Sequence, residues 1–588
     1  MYRPLVGLAW AFAALILFGR LGYAPLTDLD AGAFSQASLE MLRRGDWVSP
    51  WLYDAPRFDK PVLIHWLQMI SLSIFGTSSW AARLPSALAG LAWVGGVGAW
   101  AYLIAQRLCE RSQIPSHQPL RAYAWAVFLS ACSLGLPAMS RAATADALLN
   151  ALLVNSLWML WLALHAQTGR QARRWSHPAA ALIGLGLLTK GPVAVLVPVA
   201  ATFLAALAGR QLNHWFRLVT DPVAWLVLVA VAAPWYWLQF QAQGMAFVEG
   251  FLGLHNLGRF TQTMHGFSAG PLYYPIWTVI ATLPLLPLLL GLVWRIWQTS
   301  RQRSGAANLA QLGRGPNLSW RTPELRLCWA VFGFVLLFFS FSATKLPHYG
   351  FYGLSGLWVL MALMLATTPQ GSARLMTWSG VVSGLLVIVL IIASQLSQGF
   401  LAGIADSYYR EVLETAQVHL SQQWWIWPTG VLSILLVAAA FWLRWAAVAA
   451  IGLLGLVVHV GLVPEVMQAL RQPILVVGQQ LANQKMAGLD RAVTWRLNAP
   501  SLSFAAGHVI APGQPTSNSL VILHTKDLDR LKAQTACRSG SLVFERTGIA
   551  AWDCSGAGGG TRTRTPSLAP DFESGASTNS TTPAGAVR

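Results

Sequence analysis

DLDAGAFSQASLEMLRRGDWVSPWLYDAPRFDKP, from Asp28 to Pro61, is a polar island set between the apolar runs Leu5 to Gly19 and Val62 to Phe75. Three shorter islands echo it: SRAATAD at Ser140 to Asp146, LTKGP at Leu188 to Pro192 and TKLPHY at Thr344 to Tyr349. Ionisable residues beside such long apolar runs are costly unless they face water, a partner or a substrate. Their positions therefore carry information about function.

Composition sets the class. The chain has 588 residues, 55% of them hydrophobic and 11% charged, with 29 Trp and a mean hydropathy of +0.50. These values belong to a polytopic membrane protein, not to a water-soluble domain. Forty Lys and Arg stand against 22 Asp and Glu. The cations are scattered between apolar spans, so they read as topology and exclude a nucleic-acid partner. Most of the Trp belongs to aromatic belts at the two interfaces. The five cysteines show no Cys-x-x-Cys or Cys/His metal spacing.

Apolar windows of about 20 residues fall at 5–19, 82–106, 122–139, 145–166, 177–189, 191–208 and 222–240, then at 272–294, 327–342, 349–367, 376–394, 425–443 and 446–464. The expectation is an all-α polytopic membrane protein of about thirteen transmembrane helices. The first window has no small-residue cleavage site after it and reads as an uncleaved helix. Arg107, Arg111, Arg121, Arg170, Arg173, Arg174, Arg210, Arg217, Arg295, Arg301, Arg303, Arg314, Arg321, Arg326, Arg374 and Arg444 fall in alternate loops. The positive-inside rule makes those loops cytoplasmic, together with the N-terminus. The first loop (23–81), SRAATAD, LTKGP, the Gln241 to Pro271 loop and TKLPHY then share the opposite face. A transporter would instead place polar residues at the midplane, within internal repeats, and no repeat is evident.

In the first loop, Phe34, Ala37, Met41 and Leu42 recur at helical spacing after Asp30, which suits an amphipathic interfacial helix. Val62 to Phe75 is short for a span and reads as a second one. Residues 1–464 form the membrane domain and 465–555 an external α/β domain. Ala492 to Leu497, Leu502 to Ala505, Leu520 to His524 and Ser541 to Phe544 are its apolar or alternating runs, with a helical Lys526 to Lys532. In an oxidising compartment Cys537 and Cys554 suit a disulfide. Residues 556–588 have the composition of a disordered tail.

Asp30, Asp59, Lys60, Arg141, Asp146, Lys190 and Lys345 thus gather at one membrane face. Cations there suit a phosphate head group. A carboxylate among them can orient or deprotonate an attacking hydroxyl, or stabilise charge on a sugar ring. Together they suggest glycosyl transfer from a lipid-linked sugar.

The ordered blocks Asp30, Glu40-Met41-Leu42, Gly45-Asp46-Trp47 and Phe58-Asp59-Lys60-Pro61, followed by ARLPSALAG (Ala82 to Gly90), LTKGPV, HNLGRF (His255 to Phe260) and TKLPHY, resemble the bacterial lipid A aminoarabinose transferase family. That family lies in the GT-C class with the protein mannosyltransferases. The resemblance covers residues 1 to about 465. It implies a GT-C fold with interfacial helices and a small C-terminal α/β periplasmic domain, in the bacterial inner membrane. It also implies an inverting transferase that moves a sugar from undecaprenyl phosphate to lipid A or another envelope acceptor. Asp30 corresponds to the essential carboxylate and Lys60 to a donor-phosphate ligand, a role extended to Lys345, Arg141 and Lys190. Asp59, Asp146, His255, Arg259 and His348 would support them. The family allows a divalent metal at the block's acidic residue, here Asp59 with His255 or His265, but the class requires no cofactor. Ala31 and Ala33 stand where the family's run has an acidic residue and an arginine, and Asp59 stands where it has Glu.

Plainer roles compete. Asp30 suits a helix N-cap, Lys60 and Lys345 suit snorkelling and Lys190 a helix-end charge. Asp146 suits a cap or a partner for Arg141, and the histidines suit polar loop positions. A GT-C transferase acting on protein or polysaccharide, and a flippase for polyprenyl-linked lipids, share the composition.

Overall fold

The helix Phe351–Thr367 is the axis of the bundle, and every one of its 17 residues is buried. Its sequence, FYGLSGLWVLMALMLAT, is apolar all round, as a helix enclosed on every side must be. Trp358 on it packs against Trp93 of the Ser79–Ser112 helix with ring centroids 5.8 Å apart, and the Trp93 indole donates to Ser355 Oγ at 2.8 Å. Gly356 lets the Arg326–Ser340 helix lie close: a Cβ there would sit 2.5 Å from the Cys328 carbonyl oxygen. The helix therefore needs small residues on that face.

A computed structural model describes residues 3–112, 118–258, 261, 270–301, 318–368, 372–395 and 407–555. The expected tail (556–588), Arg259 and His265 lie outside the described residues. Every apolar window named above carries helix. By length and composition alone, six of the described helices can cross a membrane, or seven if Tyr273–Ala281 and Leu283–Gln298, bent by 73°, count as one span. Others are apolar but shorter, such as Arg3–Phe18 and Val193–Gly209. Gly169–Lys190 carries Arg170, Arg173, Arg174 and Lys190 in its 22 residues.

Two boundaries differ from the sequence reading. The expected loop from Gln241 is largely helix: Pro222–Val248 continues into a π-helical stretch, Glu249–Gly258, with non-helical dihedrals at Gly244. At the other, helix runs from Arg444 through residue 464 to Ala482, with Ile474, Val477 and Leu481 buried against the C-terminal domain.

That domain holds a four-stranded sheet in which Ala492–Thr494 pairs parallel with Leu520–His524. Antiparallel partners follow, Ile549–Asp553 and then Ser541–Arg546. Leu502 to Ala505 is not a strand. It lies in the helix Pro500–Ala506, started by Pro500 and stopped by left-handed Gly507, because buried Leu502 and Ala506 recur four residues apart. Cys537 and Cys554 form a disulfide.

The loops that carry the arginines meet one another at the far end of the bundle. Arg111 pairs with Glu324 at 2.7 Å, whose carbonyl accepts from Trp161 Nε1 at 2.9 Å, and Arg295 reaches Thr368.

Within the C-terminal domain, Arg491 grips both oxygens of Asp553 at 2.7 and 2.8 Å. This two-pronged contact holds the Asp553 carboxyl well below the usual carboxylate range. A depressed carboxylate contributes stability above its unfolded value of about 4 and loses it as pH falls towards the folded value. The sheet should therefore weaken below pH ~4. Asp553→Asn should cost about 1 kcal/mol at neutral pH and flatten the acid dependence. Hydrogen exchange at Leu520–His524 measured against pH checks both.

Candidate functional site

The site begins with a carboxylate that shapes the first loop. Glu40, buried on the Ala33–Arg44 helix, accepts the backbone N–H of Tyr53 and of Asp54, each at 3.2 Å. Gln36 Nε2 donates to it at 2.8 Å. Tyr53 and Asp54 have φ of 57° and 59° and form the turn of the hairpin Trp51–Leu52 with Ala55–Pro56. A two-residue hairpin wants both residues left-handed, an unfavourable state for side chains other than Gly, Asn or Asp. The Glu40 carboxylate holds the turn in that state, and burial pushes its carboxyl up from the usual range.

The hairpin delivers Arg57-Phe58-Asp59-Lys60. The Arg57 N–H donates to the Pro50 carbonyl at 2.7 Å. Asp59 lies 3.1 Å from Arg57 Nη2, 2.8 Å from Lys60 Nζ and 3.2 Å from His255 Nδ1. Phe58 packs against Phe247, which is stacked on Phe251 of the π-helical stretch carrying His255.

A second cluster adjoins this one. Asp146, at the start of the Asp146–Leu164 helix, pairs with Lys190 at the end of Gly169–Lys190. Both are buried. Thr144 Oγ1 donates to Asp146 at 3.1 Å, and His348 Nε2 stands 3.9 Å away. The Lys190 ammonium lies 5.7 and 5.5 Å from the ring centres of Tyr349 and Tyr352. Lys60 is within electrostatic reach of Asp146. The start of the central helix, the lysine of LTKGP, the end of SRAATAD and the first loop thus meet at one place.

Asp30 occupies a π-helical turn, Asp28–Gly32, and is exposed. It caps nothing: the following helix has Gly32 at its N-cap and no side-chain capping bond. One turn on, Phe34 stacks on His65 at 5.4 Å, with the Arg57 guanidinium 4.7 Å from its ring centre. Asp30 thus lies one helical turn before Phe34, which touches the cluster, and among the described residues no hydrogen bond links it to the cations.

Two nominated cations have other work. Arg141 donates to the carbonyls of Ile16 and Leu17 at 2.7 and 3.2 Å, capping the Arg3–Phe18 helix. Asp146 therefore takes Lys190, not Arg141. Lys345 places its ammonium on the carbonyls of Phe339, Ser340 and Ser342 at 3.1, 2.6 and 2.5 Å. Those bonds use its three N–H donors, at the end of the Arg326–Ser340 helix where a cation satisfies orphan carbonyls. This is a correction to its phosphate-binding role, and to that of Arg141. For a metal, Asp59 and His255 supply two donors. Among the described residues no group of three His, Cys, Asp or Glu side chains converges, and Arg57 and Lys60 beside Asp59 oppose a divalent cation. Among the described residues Asp59 and His255 are thus the two donors such a site could use, and His265 lies outside them.

Sequence reading missed Glu40, Arg57 and Arg83. Arg83, buried, donates to the carbonyls of Leu21, Ala24 and Pro25 and so fixes the entry to the first loop. A buried arginine within the ARLPSALAG helix was the available signal.

Comparison with known proteins places this arrangement. A family model described as dolichyl-phosphate-mannose-protein mannosyltransferase matches residues 59–237. An undecaprenyl phosphate-alpha-4-amino-4-deoxy-L-arabinose arabinosyl transferase of Pseudomonas fluorescens is 27% identical over 523 residues, 84% of this chain and 80% of that one. The corresponding protein of Erwinia tasmaniensis is 27% identical over 449 residues, 75% of this chain and 74% of that one. The crystal structure of ArnT from Cupriavidus metallidurans bound to undecaprenyl phosphate superposes with a TM-score of 0.70 at 19% identity, covering 93% of this chain and 97% of that one. The chain is similar to these aminoarabinose transferases along most of its length and has the GT-C fold. In this GT-C fold the helical bundle and the small C-terminal sheet are parts of one superposable unit.

The buried Asp146–Lys190 pair makes a clear prediction. Lys190→Met should leave a lone buried carboxylate and cost about 3–5 kcal/mol, whereas Asp146→Asn with Lys190→Met should recover much of it. Thermal unfolding of the purified chain in detergent checks the cycle.

Proposed function

We propose that this chain is an inverting glycosyltransferase of the bacterial inner membrane, moving one sugar from undecaprenyl phosphate to lipid A at the periplasmic face. The observation that carries the reading is the meeting of Lys60, Arg57, Lys190 and their carboxylates beside the turn that bears Asp30. The 84% span of the chain aligned with an arabinosyl transferase supports it. The Arg-rich loops at the opposite end from Asp30 support a cytoplasmic N-terminus and a periplasmic C-terminal domain.

In the mechanism, an acceptor oxygen attacks the anomeric carbon from the side opposite the carrier. The carbon–oxygen bond to phosphate breaks, and undecaprenyl phosphate departs with the electron pair. Lys60 stabilises the charge that grows on the leaving phosphate. Asp30, exposed and unpaired among the described residues, orients the acceptor. A lipid A phosphate is already anionic and needs no base, whereas a neutral hydroxyl would give its proton to Asp30. No step needs a metal or other cofactor.

Mass spectrometry of lipid A and total envelope lipids, from null cells carrying the wild-type chain or Asp30→Asn, tests this. A sugar-sized increment on lipid A should appear with the wild type and fall about 100-fold or more in the variant. Unchanged lipid A, with a polyprenyl-phosphate sugar accumulating in the variant, would move the acceptor to protein or polysaccharide. No glycan difference at all would leave a flippase as the better account.

A further inference from the structure

We propose that Arg57 is a donor-phosphate ligand, working beside Lys60 as the guanidinium half of the subsite. The inference rests on the transferase reading above and names a residue that the sequence did not single out.

Three observations meet at this side chain. Arg57 is largely buried, with a side-chain exposure of 13%, in the polar cluster. Its Nη2 is spent on Asp59 at 3.1 Å. Its Nη1 is buried and, among the described residues, makes no hydrogen bond. Leaving a charged donor buried and unsatisfied is costly, and such groups in folded proteins usually mark a missing partner. The missing partner is an acceptor, because a guanidinium only donates.

Geometry narrows the acceptor to an anion at the cluster. The guanidinium lies over the Phe34 ring, one helical turn after Asp30, and its backbone is fixed to Pro50 by the hairpin that Glu40 clamps. It is therefore held in place before any ligand arrives. Asp59 bridges it to Lys60 at 2.8 Å. Asp59 is thus shared between the two cations. Arg141 and Lys345 are occupied by backbone carbonyls, and Lys190 by Asp146. With Nη2 on Asp59, Nη1 is the guanidinium donor left for a phosphate oxygen.

Lipid A also carries phosphate, so the test must separate donor from acceptor. Purified full-length chain is assayed for undecaprenyl phosphate binding, with neutral undecaprenol as control, and for transfer kinetics. Arg57→Gln should weaken undecaprenyl phosphate binding about tenfold or more, raise the donor KM similarly, lower kcat because the leaving phosphate loses a donor, and leave the acceptor KM within about twofold. Undecaprenol binding should not change. Arg57→Lys keeps the charge and the Asp59 pair, guarding against misfolding, and should still lose several-fold affinity. Adding Asp59→Asn to Arg57→Gln should not restore binding. The proposal is overturned if phosphate affinity is unchanged in both variants, if the double variant binds like wild type, or if only the acceptor KM rises. An Asp30→Asn chain that transfers at the wild-type rate would overturn the catalytic reading of Asp30 and leave the Arg57 result standing.

Discussion

The ion pair between Asp146 and Lys190 is the constraint around which the site is built. Two charges buried in an apolar bundle must meet, since either alone would carry an uncompensated desolvation cost. Their meeting fixes the start of one helix against the end of the next. It also sets where the turn before the central helix must sit, because His348, Tyr349 and Tyr352 surround the same pair. The central helix is enclosed on all sides, so this turn has little room to move.

The first loop is held from three other directions. Arg83 secures its entry and Glu40 its hairpin. The C-terminal domain secures the turn that bears Asp30. Asp28 accepts the Ser501 N–H at 2.9 Å and Arg471 Nη1 at 2.8 Å, and a Cβ on Gly32 would lie 2.9 Å from the Ser501 nitrogen. Tyr53 hydroxyl donates to Asn498 of the same domain at 3.2 Å. The loop is thus irregular in sequence yet over-determined in space, as a surface that must present a few polar groups accurately has to be.

Much of the helical framework was legible because burial in lipid or in a helical bundle demands long apolar windows, and those windows are visible one residue at a time. The islands Asp28 to Pro61, LTKGP and TKLPHY were legible as candidates for the converse reason. What a charge does there was not legible. Arg141 reaches carbonyls 125 and 124 residues away, and Lys345 caps a helix that ends at Ser340, just before its own motif. Sequence shows that a cation is present, while its partner is decided by packing. Glu40 entered only through the block Glu40-Met41-Leu42, since nothing local reveals the hairpin folded back onto it. Arg57 was hidden by its neighbours, because Phe58-Asp59-Lys60-Pro61 supplied the motif and the residue before it carried no pattern. Leu502 to Ala505 misled because four apolar-rich residues fit a strand or a helical turn equally, and only Pro500 and Gly507 decide.

The most direct test of the account is a cryo-electron microscopy structure of the full chain with undecaprenyl phosphate bound. The phosphate should lie about 3 Å from Lys60 Nζ, on the side of the cluster that Asp30 borders, with the polyprenyl chain leaving along the bundle. A phosphate bound instead at the opposite end, against Arg111 or Arg295, would contradict the assignment of the polar cluster as the transfer site.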